Sequence, residues 1–326
     1  MATPSGLDYM RSRTVVDCDT MDEEVAKVLG PFQDCTSNQA IAFGELSKPA
    51  RKEVVVAAAA DAKILHSQYS STSVEELAVE IAMVRLAVGM SKHIHGRVHV
   101  QTNPYYSYSS EQTVANALRI VQLFQHIEPG FDVSRIAIKI PSTWEGMMAC
   151  HTLELAGVRT LATTLFSMAQ AKLAAEVGCT YIAPYVNNLK VQFDTSLVDK
   201  GKLLPLCVAI QQYYKYINAK TKVLPASLTS TEEIYSLAGV DHLTIAPHLL
   251  AQLTEPAPIS TKSLFDEAPT LSIPEEETSF INDPSIFQMV FVRDLGGASH
   301  IKLTEAINIF CDFQTKLEQI MEAATA

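Results

Sequence analysis

The chain has no CxxC pair, no run of eighteen apolar residues, no glycine-rich GxGxxG fingerprint and too few bases to balance its acids. Each absence removes a class of function. The six cysteines, Cys18, Cys35, Cys150, Cys179, Cys207 and Cys311, are scattered, several within apolar runs, and read as reduced core residues of an intracellular protein. Without an eighteen-residue apolar run there is no candidate membrane span, and the first residues, Met-Ala-Thr-Pro-Ser-Gly, have neither a basic head nor an apolar stretch. The expectation is a soluble, cytoplasmic chain. A formal net charge of −11, from 36 acids against 25 bases, repels nucleic acid and anionic membrane, so neither is an expected partner. What is abundant is apolar: 48% of the 326 residues are hydrophobic and 19% charged, enough for one large core or two smaller ones.

Short β-rich segments alternate with longer segments of helical period almost to the end of the chain, as in βα units. The expected strands are Thr14–Cys18, Gln33–Thr36, Arg97–Gln101, Arg135–Lys139, Val158–Thr163, Thr180–Ala183, Lys222–Ala226 and His242–Ile245. Among the intervening helices, Ser73–Met90 opens with a capping-box pattern, Ser73-Val-Glu-Glu76, and places Leu77, Ile81, Val84 and Val88 on one face. Eight strands and eight helices in this length predict an α/β fold of the (β/α)8 TIM-barrel type. A doubly wound open sheet is the runner-up, disfavoured because no phosphate fingerprint follows the first strand. Residues 255–300, with Pro256, Pro258, Pro274-Glu-Glu-Glu277 and Gly296-Gly297, read as an irregular segment leading to a C-terminal helix, Ile301–Ala323. That stretch is too short for a second core, so residues 1–326 are expected to form a single domain with a C-terminal helical extension.

Chemistry in such barrels sits at the C-terminal strand ends. Here those ends carry Asp19, Asn38, Gln101, Lys139, Thr163, Ala183 with Tyr185, and Ser227. Lys139 closes an apolar strand and is followed by a helix-start signal, Pro141-Ser-Thr-Trp-Glu145. Pointing into a walled barrel mouth, its amine would be desolvated, its pKa lowered and its lone pair freed to attack a carbonyl. The bland alternative is a lysine snorkelling out of a strand end. Asp17, two residues before Asp19 on the same face, reads as a deeper, hydrogen-bonded buried acid.

Three blocks, Ile138-Lys-Ile-Pro-Ser-Thr-Trp-Glu-Gly146, Thr163-Thr-Leu-Phe-Ser-Met-Ala-Gln-Ala171 and Leu243-Thr-Ile-Ala-Pro-His-Leu-Leu250, resemble the transaldolase family. The early Asp34-Cys-Thr-Ser-Asn38 and the C-terminal helix are similar as well, so the resemblance spans nearly the whole chain. It implies a cofactor-free, metal-independent class I enzyme of carbohydrate metabolism whose Schiff-base lysine, on the fourth strand, is Lys139. It further implies that Asp19 is the acid/base of carbon–carbon cleavage, Asn38 a substrate contact, and Thr163 a holder of the catalytic water. A homo-oligomer follows from family habit.

Departures from the pattern concern water and phosphate. Gln101 stands where transaldolases carry a glutamate, Tyr185 where they carry phenylalanine, and Ala183 replaces a serine, all resembling the fructose-6-phosphate aldolase branch. The alternative, that Tyr185 is an ordinary core aromatic and Gln101 drift, stays open. Two family arginines that grip a sugar phosphate align with Asn188 and Thr229, and a pocket asparagine with Leu161; Lys190 is a partial substitute at best, because an ammonium does not reproduce a bidentate guanidinium. The expected substrate is therefore an unphosphorylated or atypical small carbonyl compound. Three functions remain: a Schiff-base aldolase or transferase with an altered substrate, an authentic transaldolase passing dihydroxyacetone between sugar phosphates in the pentose shunt, and a non-catalytic binding protein on this scaffold. His93-Ile-His95 with His99 has a metal-like spacing, but no further strand-end ligands complete a site. The loop Thr102-Asn-Pro-Tyr-Tyr-Ser-Tyr108 is a candidate aromatic wall of the substrate pocket.

Overall fold

In the computed structural model, residues 4–194, 196–258, 262–266 and 279–325 are described. Eight parallel strands form one sheet: β1 Val15–Asp19, β2 Cys35–Thr36, β3 Val98–Gln101, β4 Ile136–Pro141, β5 Arg159–Leu165, β6 Tyr181–Pro184, β7 Lys222–Val223 and β8 His242–Ile245. Their spatial order, β7-β6-β5-β4-β3-β2-β1-β8, is the sequential order of a (β/α)8 barrel. The remaining edges meet where the Thr244 N–H donates to the Pro225 carbonyl at 3.4 Å. All eight expected strands are present, with ends shifted by a few residues. β4 runs two residues past Lys139, and β7 is shorter than expected because Pro225 has no N–H for the ladder. Beyond it the chain stays extended, and Ala226 bridges Tyr185.

The helix Val74–Ser91 starts where its cap predicts: Ser73 Oγ accepts the Glu76 N–H at 3.0 Å. The reciprocal half of the capping box is absent, because the Glu76 carboxylate instead accepts from Tyr106 Oη (2.8 and 2.9 Å) and Arg119 (3.2 Å). Leu77, Ile81, Val84 and Val88 are buried as expected, but so are Leu86, Ala87 and Met90 on other faces. A helix buried nearly all round needs cover on its outer side. The C-terminal helix Ala298–Thr325 supplies it, packing on this helix and on Gln39–Leu46 and Lys52–Leu65. Its buried Leu303, Ile307, Phe310, Leu317 and Met321 recur at helical spacing, each worth about 1.5–3 kcal/mol of burial.

Part of the segment expected to be irregular is helical. Pro284–Arg293 forms a helix with Asp283 as N-cap (Oδ1 accepting the Ile286 N–H at 2.9 Å) and Pro284 in the first turn, anchored by buried Phe287 and Phe291. The final helix accordingly begins at Ala298. Pro274-Glu-Glu-Glu277 lies outside the described residues. Among those described, no helix is long and apolar enough to cross a membrane.

Candidate active site

Alternation along β4 sends Ile136, Ile138 and Ile140 outward to the helices and Lys139 inward. Lys139 is 2% exposed, so it does not snorkel. Burial lowers its pKa from the ordinary 10.5, against the opposing pull of Asp19 and Cys35. A buried amine with a depressed pKa holds an available lone pair, the property a lysine nucleophile needs. Behind it the chain turns into the helix Trp144–Leu155, whose N-cap, Thr143, accepts the Gly146 N–H at 2.8 Å.

The neighbouring strands bring four polar groups to the same end. Gln101 pairs with Lys139 in register and is buried, yet neither its carbonyl oxygen nor its amide nitrogen has a protein partner among the described residues. An unmatched buried amide costs about 1–3 kcal/mol, a cost that a water or substrate group beside Lys139 would relieve by bonding to it. Thr163, on β5, donates to Tyr185 Oη at 3.3 Å, which leaves the phenolic proton free to be donated. Burial holds the Tyr185 pKa well above its ordinary value, with the Thr163 bond opposing and the Asp19 charge reinforcing, so the phenol stays neutral. Asp19 accepts from Thr36 Oγ1 at 2.6 Å, and Thr36 meets Thr244 Oγ1, also at 2.6 Å. One carboxylate oxygen is thereby fixed and the other left for the cavity.

At the same end of the barrel opens a cavity of about 260 Å³, bordered by Asp19, Asn38, Tyr185, Ser227 and Thr244 on its inner side; Lys139, Gln101 and Thr163 lie deeper and do not line it. Asn38 Oδ1 caps the helix Gln39–Leu46 through the Ile41 N–H (3.0 Å). Ser227 sits at φ +60°, a strained conformation for a non-glycine residue, held by the Asn187 amide on its carbonyl (2.9 Å). Three expected contacts do not reach this cavity. Asn188 donates to Glu305 at 2.8 Å, Thr229 donates to Glu233 at 3.0 Å, and Leu161 is packed inside the barrel beside Lys139. Lys190 is paired with Glu305. The tyrosine loop does not line the cavity either: Tyr105 bonds Thr315 (2.9 Å) and Tyr106 bonds Glu76, tying the loop to helices. Sequence reasoning missed Thr36 and Thr244. Two-residue alternation back from Asn38 would have found Thr36.

The transaldolase/fructose-6-phosphate aldolase family profile matches residues 16–291. The chain belongs to that family. It is 32% identical over 330 residues to a transaldolase of Glaesserella parasuis, covering 97% of this chain and 98% of that protein. It is also 33% identical over 329 residues to the transaldolase of Rattus norvegicus (97% and 93%), and 32% identical over 328 residues to that of Shewanella oneidensis (98% of each).

Beneath the site, this transaldolase-family barrel has a polar floor. Asp17 Oδ1 accepts the Asp34 N–H (2.8 Å), and its Oδ2 meets His242 Nδ1 (2.9 Å); Asp34 accepts the Arg97 N–H (2.7 Å) and meets His99 Nε2 (3.0 Å). Tyr181 lies between the two imidazoles, 5.0 and 5.4 Å from their ring centres. Burial opposes the ionised form of Asp34, but the hydrogen bonds from His99 and the Arg97 backbone hold its pKa at about 2. Asp17, Asp34 and His242 bring ligand atoms within 4.8 Å of one another, the spacing of a metal cluster. All four carboxylate oxygens of the pair are, however, already bonded within the floor. The HxH histidines diverge: His93 faces Glu23 at 3.5 Å, and His95 borders a cleft at the opposite end of the barrel from Lys139.

Proposed function

We propose that this transaldolase-family enzyme makes or breaks a carbon–carbon bond through an imine on Lys139, with an unphosphorylated ketone as donor. The observation that carries it is the buried, pKa-depressed amine beside Asp19, Gln101 and the Thr163–Tyr185 pair. Lys139 adds to the ketone carbonyl and, with loss of water, gives an iminium that accepts the electron pair of the breaking bond. Asp19 takes the proton of the adjacent hydroxyl, leaving an enamine. Tyr185, its phenol neutral, returns a proton to the enamine carbon through a water oriented by Gln101 and Thr163, and hydrolysis then releases the donor. Glutamine orients water without accepting its proton, so this set favours release over retention of the enamine, as in the fructose-6-phosphate aldolase branch. Six free cysteines, five of them buried, support work in a reducing, cytoplasmic compartment.

Tyr185→Phe is expected to slow donor release about 10²- to 10⁴-fold while leaving the borohydride-trapped adduct unchanged. Equal losses in both would make the tyrosine structural. Against phosphate, two missing charge-assisted contacts are worth about 1.5–3 kcal/mol each, roughly 10²- to 10⁴-fold together. Fructose 6-phosphate should then saturate no more tightly than about tenfold below fructose. Tight, salt-sensitive saturation by the phosphate would favour instead an authentic transaldolase, the name carried by the full-length relatives. The deciding experiment is borohydride trapping with dihydroxyacetone and mass spectrometry of the Lys139 peptide; absence of an adduct with any ketone rejects the imine.

A further inference from the structure

We infer that the outer half of the cavity is a subsite for an apolar, uncharged aldehyde substituent, an alkyl chain or an aromatic ring. This rests on the imine chemistry proposed above and assigns the partner that adds to, or leaves from, the donor. The cavity is divided by chemistry. Its polar groups, Asp19, Asn38, Tyr185, Ser227 and Thr244, all come from strand ends or the residues just beyond them, on the Lys139 side. Its outer wall is Ile41, Leu189, Phe193, Leu228 and Phe310, drawn from four separate parts of the chain, including the C-terminal helix.

A sugar phosphate would find no charged partner at this wall. The lysines on the bordering elements are engaged by acids: Lys190 with Glu305, Lys202 with Glu233 at 2.8 Å, and Lys302 with Asp199 at 2.8 Å. Lys316 lies over the Phe313 ring, 4.7 Å from its centre. At Lys190, Lys202 and Lys302 an incoming phosphate would have to displace carboxylates that already satisfy the ammonium groups, whereas at Lys316 it would compete only with aromatic rings. The one polar side chain of the outer wall, Gln192, directs its amide nitrogen to the Leu228 carbonyl (3.1 Å) and Ser227 Oγ (3.4 Å), leaving its carbonyl oxygen as the acceptor on this wall. A polyhydroxylated chain would thus lose its hydration for one replacement acceptor on this wall, whereas an apolar one would gain by the same burial.

Phe193 sets the reach of the subsite. The residue is 49% exposed, its ring packs 5.1 Å from Phe313, and it also borders a second cavity of about 440 Å³ in which Leu197, Ile309 and Phe313 alternate with Lys190, Asp194, Asp312 and Lys316. A six-carbon chain or a phenyl ring is therefore expected to end against Phe193, because the space beyond it is half lined by charged side chains.

In the synthetic direction the step balances without another reactant. The enamine carbon forms the new bond with the aldehyde carbon, and the carbonyl π pair moves to oxygen. The C–H proton released when the enamine forms passes through the bound water to Asp19, which delivers it to that oxygen, and the water lost on imine formation is returned when the resulting iminium is hydrolysed to free the Lys139 amine. The proton lost when the enamine formed is thus regained as the new hydroxyl.

The test uses the full-length enzyme with dihydroxyacetone as donor. Hexanal and benzaldehyde are expected to exceed glyceraldehyde and its 3-phosphate by at least about tenfold in kcat/KM, the scale of a methylene-sized change in an apolar pocket. Phe193→Arg, at a half-exposed position that does not threaten folding, should erase that preference and raise the value for the phosphate, with the Lys139 adduct unchanged. Equal or greater kcat/KM for the 3-phosphate in the wild type overturns the subsite. Calorimetry with the unreactive alcohols, hexanol and benzyl alcohol, separates this inference from the imine. Binding with a negative heat-capacity change that Phe193→Arg abolishes supports the subsite even if no adduct forms. Absence of binding by both alcohols refutes it even if Lys139 reacts.

Discussion

Lys139→Met is expected to lower activity by on the order of 10⁴- to 10⁶-fold, the scale of losing a covalent nucleophile, and to leave a more stable protein. The two effects share one cause. Lys139 is 2% exposed, and burial lowers its pKa. Holding an amine in that buried place costs stability that methionine, of similar length and without charge, recovers; the gain should be about 1–3 kcal/mol. The pH dependence fixes the sign. Between its lowered native value and 10.5, Lys139 binds fewer protons when folded than when unfolded, so wild-type stability rises with pH across that window. The advantage of Lys139→Met should be fully present below the native pKa and fade as pH approaches 10.5. Denaturant unfolding followed by the fluorescence of Trp144, the sole tryptophan, reads it directly. A variant no more stable than the wild type at neutral pH would mean that the amine is solvated and not prepared to attack.

Asp19→Asn is expected to separate imine formation from bond cleavage. Borohydride should still trap the donor on Lys139, while cleavage of the aldol falls by about 10²- to 10⁴-fold, the usual contribution of a positioned general base. The geometry explains why asparagine fails. Thr36 Oγ1 donates to one Asp19 oxygen at 2.6 Å, and Thr244 reaches the same hydroxyl, so the carboxylate is held with its other oxygen toward the cavity. An amide keeps the shape and one acceptor but cannot take a proton. Single-turnover kinetics with mass-spectrometric quantification of the adduct checks both halves. Loss of adduct in step with cleavage would place Asp19 in imine formation instead.

The eight strands are legible in the sequence because each is an apolar, β-rich run bounded by turn residues, with a helical period between successive runs. Lys139, Asp19, Gln101, Thr163 and Tyr185 converge because strand-end positions of a barrel face one mouth. Contacts between residues distant in sequence stay hidden. Thr36 and Thr244 are 208 positions apart, and only closure of the barrel joins them. Asn188 and Thr229 look like substrate contacts until Glu305 and Glu233 are seen to hold them. Phe310 looks like any apolar residue of a long helix, since its pattern does not say which part of the body the helix covers. The helix Pro284–Arg293 was signalled by Asp283-Pro284, an N-cap followed by a first-turn proline, in a stretch whose other prolines suggested irregularity.

The polar floor under the site has a consequence for how the barrel closes. Asp17, Asp34, His99, Tyr181 and His242 come from β1, the residue before β2, β3, β6 and β8. Apolar residues in those places would tolerate neighbouring strands sliding past one another, since one hydrophobic contact replaces another. A one-residue slip here would instead swing a carboxylate or imidazole into the helix layer and strand its partner inside, at a cost of several kcal/mol. The floor thus works as a combination lock on strand alignment, and the alignment it selects is the one that sets Gln101 beside Lys139.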